Sequence, residues 1–141
     1  MSRTSDVRPA PVVTVQFDRA DRRYGPGDPL TARHRIEGLG DDRIQAVEHS
    51  VLWYTEGKGE EDLGVHFFER VEDRPAAEGD GTMAFQTKLP ASPLSYEGVI
   101  VKVRWCVRIR VFFRNSRDFV SEHVFELGML PPARLAAPEI P

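Results

Sequence analysis

Val99-Ile100-Val101-Lys102-Val103-Arg104-Trp105-Cys106-Val107-Arg108-Ile109-Arg110-Val111-Phe112-Phe113-Arg114 alternates from end to end. Its odd positions, Val99 to Phe113, are all apolar, and its even positions carry Lys102, Arg104, Arg108, Arg110 and Arg114. A period of two sends successive side chains to opposite faces of a sheet. This stretch therefore predicts a strand with one face for a core and one basic face. Sixteen residues at about 3.3 Å each run to ~53 Å, about three times an ordinary strand. A bulge or bend near its middle is expected.

Shorter alternating segments surround it. Val13, Val15 and Phe17 mark a first strand, and Leu30, Ala32, His34 and Ile36 a second. Ile44 to Thr55 gives a third, with Val47, His49, Val51 and Trp53 on one face. Val65 to Val71 is a fourth, whose face is ambiguous because Glu69 interrupts the apolar period and Phe68 sits opposite it. Met83 to Leu89 is a fifth, the long strand follows, and Phe119 to Leu127 closes the set. Loops rich in charge, Gly or Pro separate them: Asp18 to Pro29, Gly38 to Asp42, Glu56 to Asp62, Glu72 to Asp80 and Pro90 to Gly98. Glycine and proline, 11 of each, leave no breaker-free window of helix length outside the strands. The fold class is all-β, an immunoglobulin-like antiparallel β-sandwich of about seven strands.

The last two strands can be set in register. A three-residue loop, Asn115 to Arg117, pairs Arg114 with Asp118, Arg110 with Glu122 and Cys106 with Glu126. Phe113 then meets Phe119, Val107 meets Phe125 and Trp105 meets Leu127. A slip of one residue would turn Glu122 and Glu126 onto the apolar face. In this register Lys102, Arg104 and Arg108 keep no obvious acidic partner.

The chain has 141 residues and a formal net charge of −3. That is one domain with room for a core. No global basic excess supports nucleic-acid binding, so any anion site must be local. A single cysteine excludes an internal disulfide, and no segment has the length of a signal peptide or membrane span. The expectation is a cytoplasmic protein without cofactor. Residues 1–11 are expected to be a flexible N-terminal segment, 12–128 the sandwich, and 129–141 a Pro/Ala-rich tail.

Two lead-in motifs carry a family resemblance. Met83-Ala84-Phe85-Gln86-Thr87-Lys88-Leu89-Pro90-Ala91-Ser92-Pro93-Leu94-Ser95-Tyr96-Glu97-Gly98 is an apolar strand ending in Leu-Pro, then a Pro/Ser segment and Ser-Tyr-Glu-Gly. The long strand with Trp105 at its centre follows. Tyr24-Gly25-Pro26-Gly27-Asp28 precedes the second strand as an aromatic-x-x-Gly-Asp turn. Over roughly residues 12–127 this order resembles the arrestin-like superfamily, as a single lobe of the bacterial type. The resemblance implies an immunoglobulin-like lobe and a noncatalytic adaptor or scaffold role. Familiar members have two such lobes, whereas this chain has length for one. Their polar core between lobes cannot be carried over.

Among candidate site residues, Lys102, Arg104, Arg108 and Arg110 could bind an acidic or phosphorylated protein partner, because guanidinium forks suit such groups. The competing reading is a solvent face with cross-strand ion pairs. His34, His49, His66 and His123 show no metal-ligand spacing and read as structural. Cys106 lacks a base and an orienting group, and Ser95 reads as a turn serine. Asp41-Asp42 and Glu60-Glu61-Asp62 lack a calcium-loop pattern. Tyr54, turned opposite to Trp53, is the surface aromatic for an alternative small-molecule (sugar or lipid) role. Free strand edges or the tail could pair with a second copy as a homodimer or strand swap.

Overall fold

The computed structural model describes residues 11–37, 44–72, 82–114 and 117–129. The expectations for residues 1–10, for Gly38 to Asp42, for most of Glu72 to Asp80, for Asn115-Ser116 and for the tail from 130 lie outside them. Nine strands are described: β1 Val12–Phe17, β2 Arg23–Tyr24, β3 Pro29–Glu37, β4 Ile44–Gly57, β5 Leu63–Glu72, β6 Thr82–Lys88, β7 Tyr96–Glu97, β8 Val101–Phe113 and β9 Phe119–Leu127. They form a β-sandwich. One sheet has the order β1-β3-β6, the other β2-β9-β8-β4-β5, with β7 pairing with β8. The seven longer strands are those the periodicity predicts. β2 and β7, two residues each, are too short to leave a periodic signal.

The inner faces follow the alternation. Leu30, Ala32, His34 and Ile36 of β3 are buried against Val47, His49 and Val51 of β4 and Trp105, Val107, Ile109 and Val111 of β8. β8 lies in the middle of the larger sheet, paired along its length with β4 from Gly57↔Val101 to Ile44↔Phe113. Trp105 is fully buried, and its indole Nε1 donates to the Pro93 carbonyl at 2.7 Å.

Three sequence expectations need correction. The long strand begins at Val101: Val99 and Ile100 are exposed, with Lys58 N donating to the Ile100 carbonyl at the adjacent strand end. No bulge interrupts the middle of β8. One irregularity sits on the edge strand, where Val51↔Phe67 and Leu52↔Val65 leave His66 as the extra residue of β5, and a second at the start of β4, where Ile44↔Phe113 and Ala46↔Phe112 leave Gln45 extra. Sheet edges and strand ends favour such bulges, because an extra residue there disturbs little of the ladder. The β8–β9 register is also shifted by two, with Trp105↔Phe125, Arg108↔Glu122 and Val111↔Phe119. The shift keeps every side chain on its predicted face. It leaves Glu126 and Leu127 to pair in parallel with Arg23 and Tyr24 of β2.

The two motifs behind the family resemblance act as structural clasps. Ser95 is buried, its N–H donates to the Leu127 carbonyl at 2.7 Å, and its hydroxyl accepts from Leu127 N–H at 2.8 Å. The Tyr96 ring lies where a side chain at Gly98 would project, so only glycine leaves it room. In the early turn, Asp28 accepts from Gly25 N–H at 2.7 Å, and Gly27 takes φ 80°, a conformation that favours glycine. Tyr24 is buried, and its hydroxyl donates to Asp18 at 2.5 Å. Burial and that carboxylate push its pKa up.

Candidate functional site

The outer face of the larger sheet is built by the even residues of β8 and their cross-strand neighbours. Successive ladder rows place Val120, Arg110, Glu48 and Arg70 side by side, then Glu122, Arg108, Ser50 and Phe68, then Val124, Cys106, Leu52 and Val65. Tyr54 lies between Arg104 and Leu63 in the following row. Cations and carboxylates thus alternate with apolar side chains across four strands.

Lys102, Arg104, Arg108 and Arg110 each have an acidic partner. Arg108 donates through Nε and Nη2 to Glu122 Oε2 at 2.7 and 2.6 Å. Arg110 reaches Asp118 at 2.5 Å. Arg104 binds Glu56, and its Nη2 lies 3.1 Å from Glu97. Lys102 is 3.5 Å from Glu97. The hydrogen bond to Glu56 holds the Arg104 guanidinium above its ordinary pKa. On the neighbouring strands Arg70 donates to Glu48 at 2.8 Å. Arg70 and Arg110 both lie over the Phe112 ring, 4.7 and 4.9 Å from its centroid. Alternation along β8 puts Lys102, Arg104, Arg108 and Arg110 on one face, and the register expected from the hairpin leaves Lys102, Arg104 and Arg108 without acids. Glu56 reaches β8 through the non-local pairing of β4, and Glu97 sits beside Lys102 on a two-residue strand too short to leave a periodic signal. Alternation alone shows a face, not which strand lies beside it.

The apolar part of this face is exposed at its edges and covered at its centre. Cys106 and Leu52 are 0% and 1% accessible, while Val65, Phe68, Leu63 and Val124 are exposed. Burial, reinforced by Glu122, pushes the Cys106 thiol up to about 12. That makes it a small packed side chain and not a nucleophile. Tyr54, Leu63, Arg108 and Glu122, with Glu56, Glu61 and Asp62, line an open cleft of about 390 Å³ over this row. Burial first, then Cys106 and Glu122, raise the Tyr54 pKa.

A second polar constellation lies inside the sandwich. His34 of β3 and His49 of β4 are each 1% accessible, and His34 Nε2 lies 3.0 Å from His49 Nδ1. His49 Nε2 lies 2.5 Å from Glu69 Oε1 on β5, a carboxylate whose side chain is half exposed. Phe67 stacks beside His49 at 6.1 Å between centroids, and Phe85 lies tilted against it at 4.6 Å. Glu69, which breaks the apolar period of β5, is there to meet a histidine. That interruption, with His34 and His49 standing on otherwise apolar strand faces, is the sequence signal of this polar chain. His66 instead donates from Nε2 to the Lys88 carbonyl at 2.7 Å. His123 bonds Ser121 at 2.6 Å, and its pKa is lowered by burial and by Arg22. Among the described residues no group of three His, Cys, Asp or Glu has the arrangement to hold a metal ion.

Comparison with known proteins places the fold. No protein-family model matches the chain, and no curated protein matches it. Among solved structures it resembles Spo0M, a sporulation control protein from Bacillus subtilis, with TM-score 0.60 and 12% identity over 85% of this chain and 50% of that one. The chain thus spans half the length of that structure. A superoxide reductase (neelaredoxin) from Ignicoccus hospitalis aligns at TM-score 0.50 and 11% identity over 82% of this chain and 79% of that one. A variant of that reductase aligns at TM-score 0.48 and 11% identity over 81% and 79%. Likeness at these identities shows the fold alone, and the first supports an arrestin-like sandwich.

Proposed function

We propose that the chain is a noncatalytic protein-interaction module of adaptor type, which docks an extended protein segment against the outer face of the larger sheet along β5. One observation carries this reading. Leu63, Val65 and Phe68 are exposed in sequence along an edge strand, at 54%, 55% and 56% accessibility. An edge strand offers unpaired backbone groups to an incoming strand, and side chains on alternate positions supply specificity. Large apolar side chains gathered on one strand mark such a contact better than scattered ones. The likeness to a control protein is compatible with this role, and no helix among the described residues is long and apolar enough to cross a membrane. A cytoplasmic setting fits a single, buried, unpaired thiol.

A more specific version keeps Lys102, Arg104, Arg108 and Arg110 as partner-binding residues for an acidic or phosphorylated segment. Their carboxylate partners are partly exposed, and such pairs are worth only about 0.2–1 kcal/mol each. A phosphate of about −1.5 to −2 charge can displace one of them. The two versions separate by experiment. Affinity purification from native cells should lose its specific partner with Phe68→Glu or Val65→Glu. Loss with Arg108→Glu as well would add the charged contact. A partner retained by Phe68→Glu and Val65→Glu would exclude the β5 surface.

A further inference from the structure

The hydrogen-bonded chain through the core links three strands and both sheets. The Glu69 carboxylate only accepts, so His49 Nε2 carries a proton and donates to it. A single proton then lies between His49 Nδ1 and His34 Nε2, which are 3.0 Å apart. With both rings neutral, His34 Nε2 donates. A first added proton makes one imidazolium, leaves one hydrogen between the two nitrogens, and is balanced by Glu69. A second added proton places a hydrogen on both facing nitrogens and removes the acceptor. The contact survives one added proton and cannot survive two.

Apolar side chains wall the pair. His34 is flanked in register by Val15 of β1 and Met83 of β6, and His49 by Ile109 of β8. Phe67 of β5 and Phe85 of β6 complete the wall. Arg33 and Arg35 of β3, Glu48 of β4, Arg70 of β5, and Arg108 and Arg110 of β8 occupy alternating positions on the outer faces. His66 of β5 donates to a backbone carbonyl, a bond it keeps whether neutral or charged. It is therefore an internal control.

We propose that Glu69, His49 and His34 form an acid-operated latch between the two sheets, closed with at most one added proton and opened by the second. Opening frees β5, with its partner β4, from β3 at this level of the core. An unfolded chain protonates both histidines below about pH 6.5, whereas the closed latch takes one proton fewer. The folded state then binds fewer protons, so stability falls with acid, about tenfold in the folding constant per pH unit in that range. The latch rests on the core geometry alone and stands whether or not the outer face docks a protein.

The test combines imidazole nitrogen NMR with amide hydrogen exchange on the full chain between pH 7.5 and 4.5. The proposal expects His34 and His49 to titrate as a coupled pair. The second step should coincide with about tenfold lower amide protection at Phe67 to Arg70, relative to the intrinsic exchange rate at each pH, with no such change at the His66 step. His34→Gln leaves one titrating ring beside Glu69 and should remove the acid-linked step. Glu69→Gln, a surface change that avoids altering the core, should move opening to higher pH. Independent titration of the two histidines would overturn the latch. So would acid-insensitive β5 protection, or a Glu69→Gln pH profile equal to wild type.

Discussion

Single side chains in this molecule are set by what stands opposite them. Gly64 of β5 lies across from Trp53 of β4, and a Cβ there would collide with the indole at Nε1. Gly64→Ala should therefore force the Trp53 ring aside and cost about 1–3 kcal/mol, read as a lowered denaturant midpoint with unchanged slope. Wild-type stability in that variant would mean the indole is free to move. Cys106 gives a sharper residue-level expectation. Its thiol is 0% accessible and raised to about 12, so a disulfide reagent at pH 8 should label it only at the rate of unfolding. Fast labelling of the folded protein would contradict the buried placement. Alternation put Cys106 on the outer face correctly. It could not show that Leu52 would lie beside it, because β4 is distant in sequence.

Strand elements were legible to the extent that their alternation was. β3 and β9 match their predicted extents closely, because apolar and polar residues alternate there and Gly or charged loops bound them. β8 was right in type and face but lost Val99 and Ile100, which continue the pattern without a neighbouring ladder. The β8–β9 register was two residues out. Face parity constrains register only to multiples of two, and the clasp of Ser95 on Leu127 decides among them. The observed register makes Arg108 and Glu122 direct neighbours. A double-mutant cycle on this pair should give a coupling of about 0.2–1 kcal/mol, decreasing with salt. Zero coupling at low salt would show that the pair forms no stable contact. The outer face is thus legible in the sequence as a basic stripe with Glu122 and Asp118 across the hairpin, but Glu56 on distant β4 and Glu97 on the two-residue β7 are not.

At the scale of the whole molecule, the sandwich divides its labour between its faces. The inner faces bury an aromatic and aliphatic core crossed by one polar chain. The outer face of the larger sheet alternates ion pairs with apolar side chains and ends on an edge strand with exposed Leu63, Val65 and Phe68. The outer face of the smaller sheet presents Gln16, Thr31 and Arg33. This asymmetry is the core of the proposed interaction role. The most direct test places a photo-crosslinking side chain at Phe68 and, separately, at Gln16 in otherwise intact protein within native cells. A discrete crosslinked protein is expected from position 68 and none from position 16. A crosslink to a second copy of the chain would identify the partner as itself. Equal crosslinking from both positions, or a discrete product from position 16 alone, would contradict the assignment of the outer face and β5 as the docking surface.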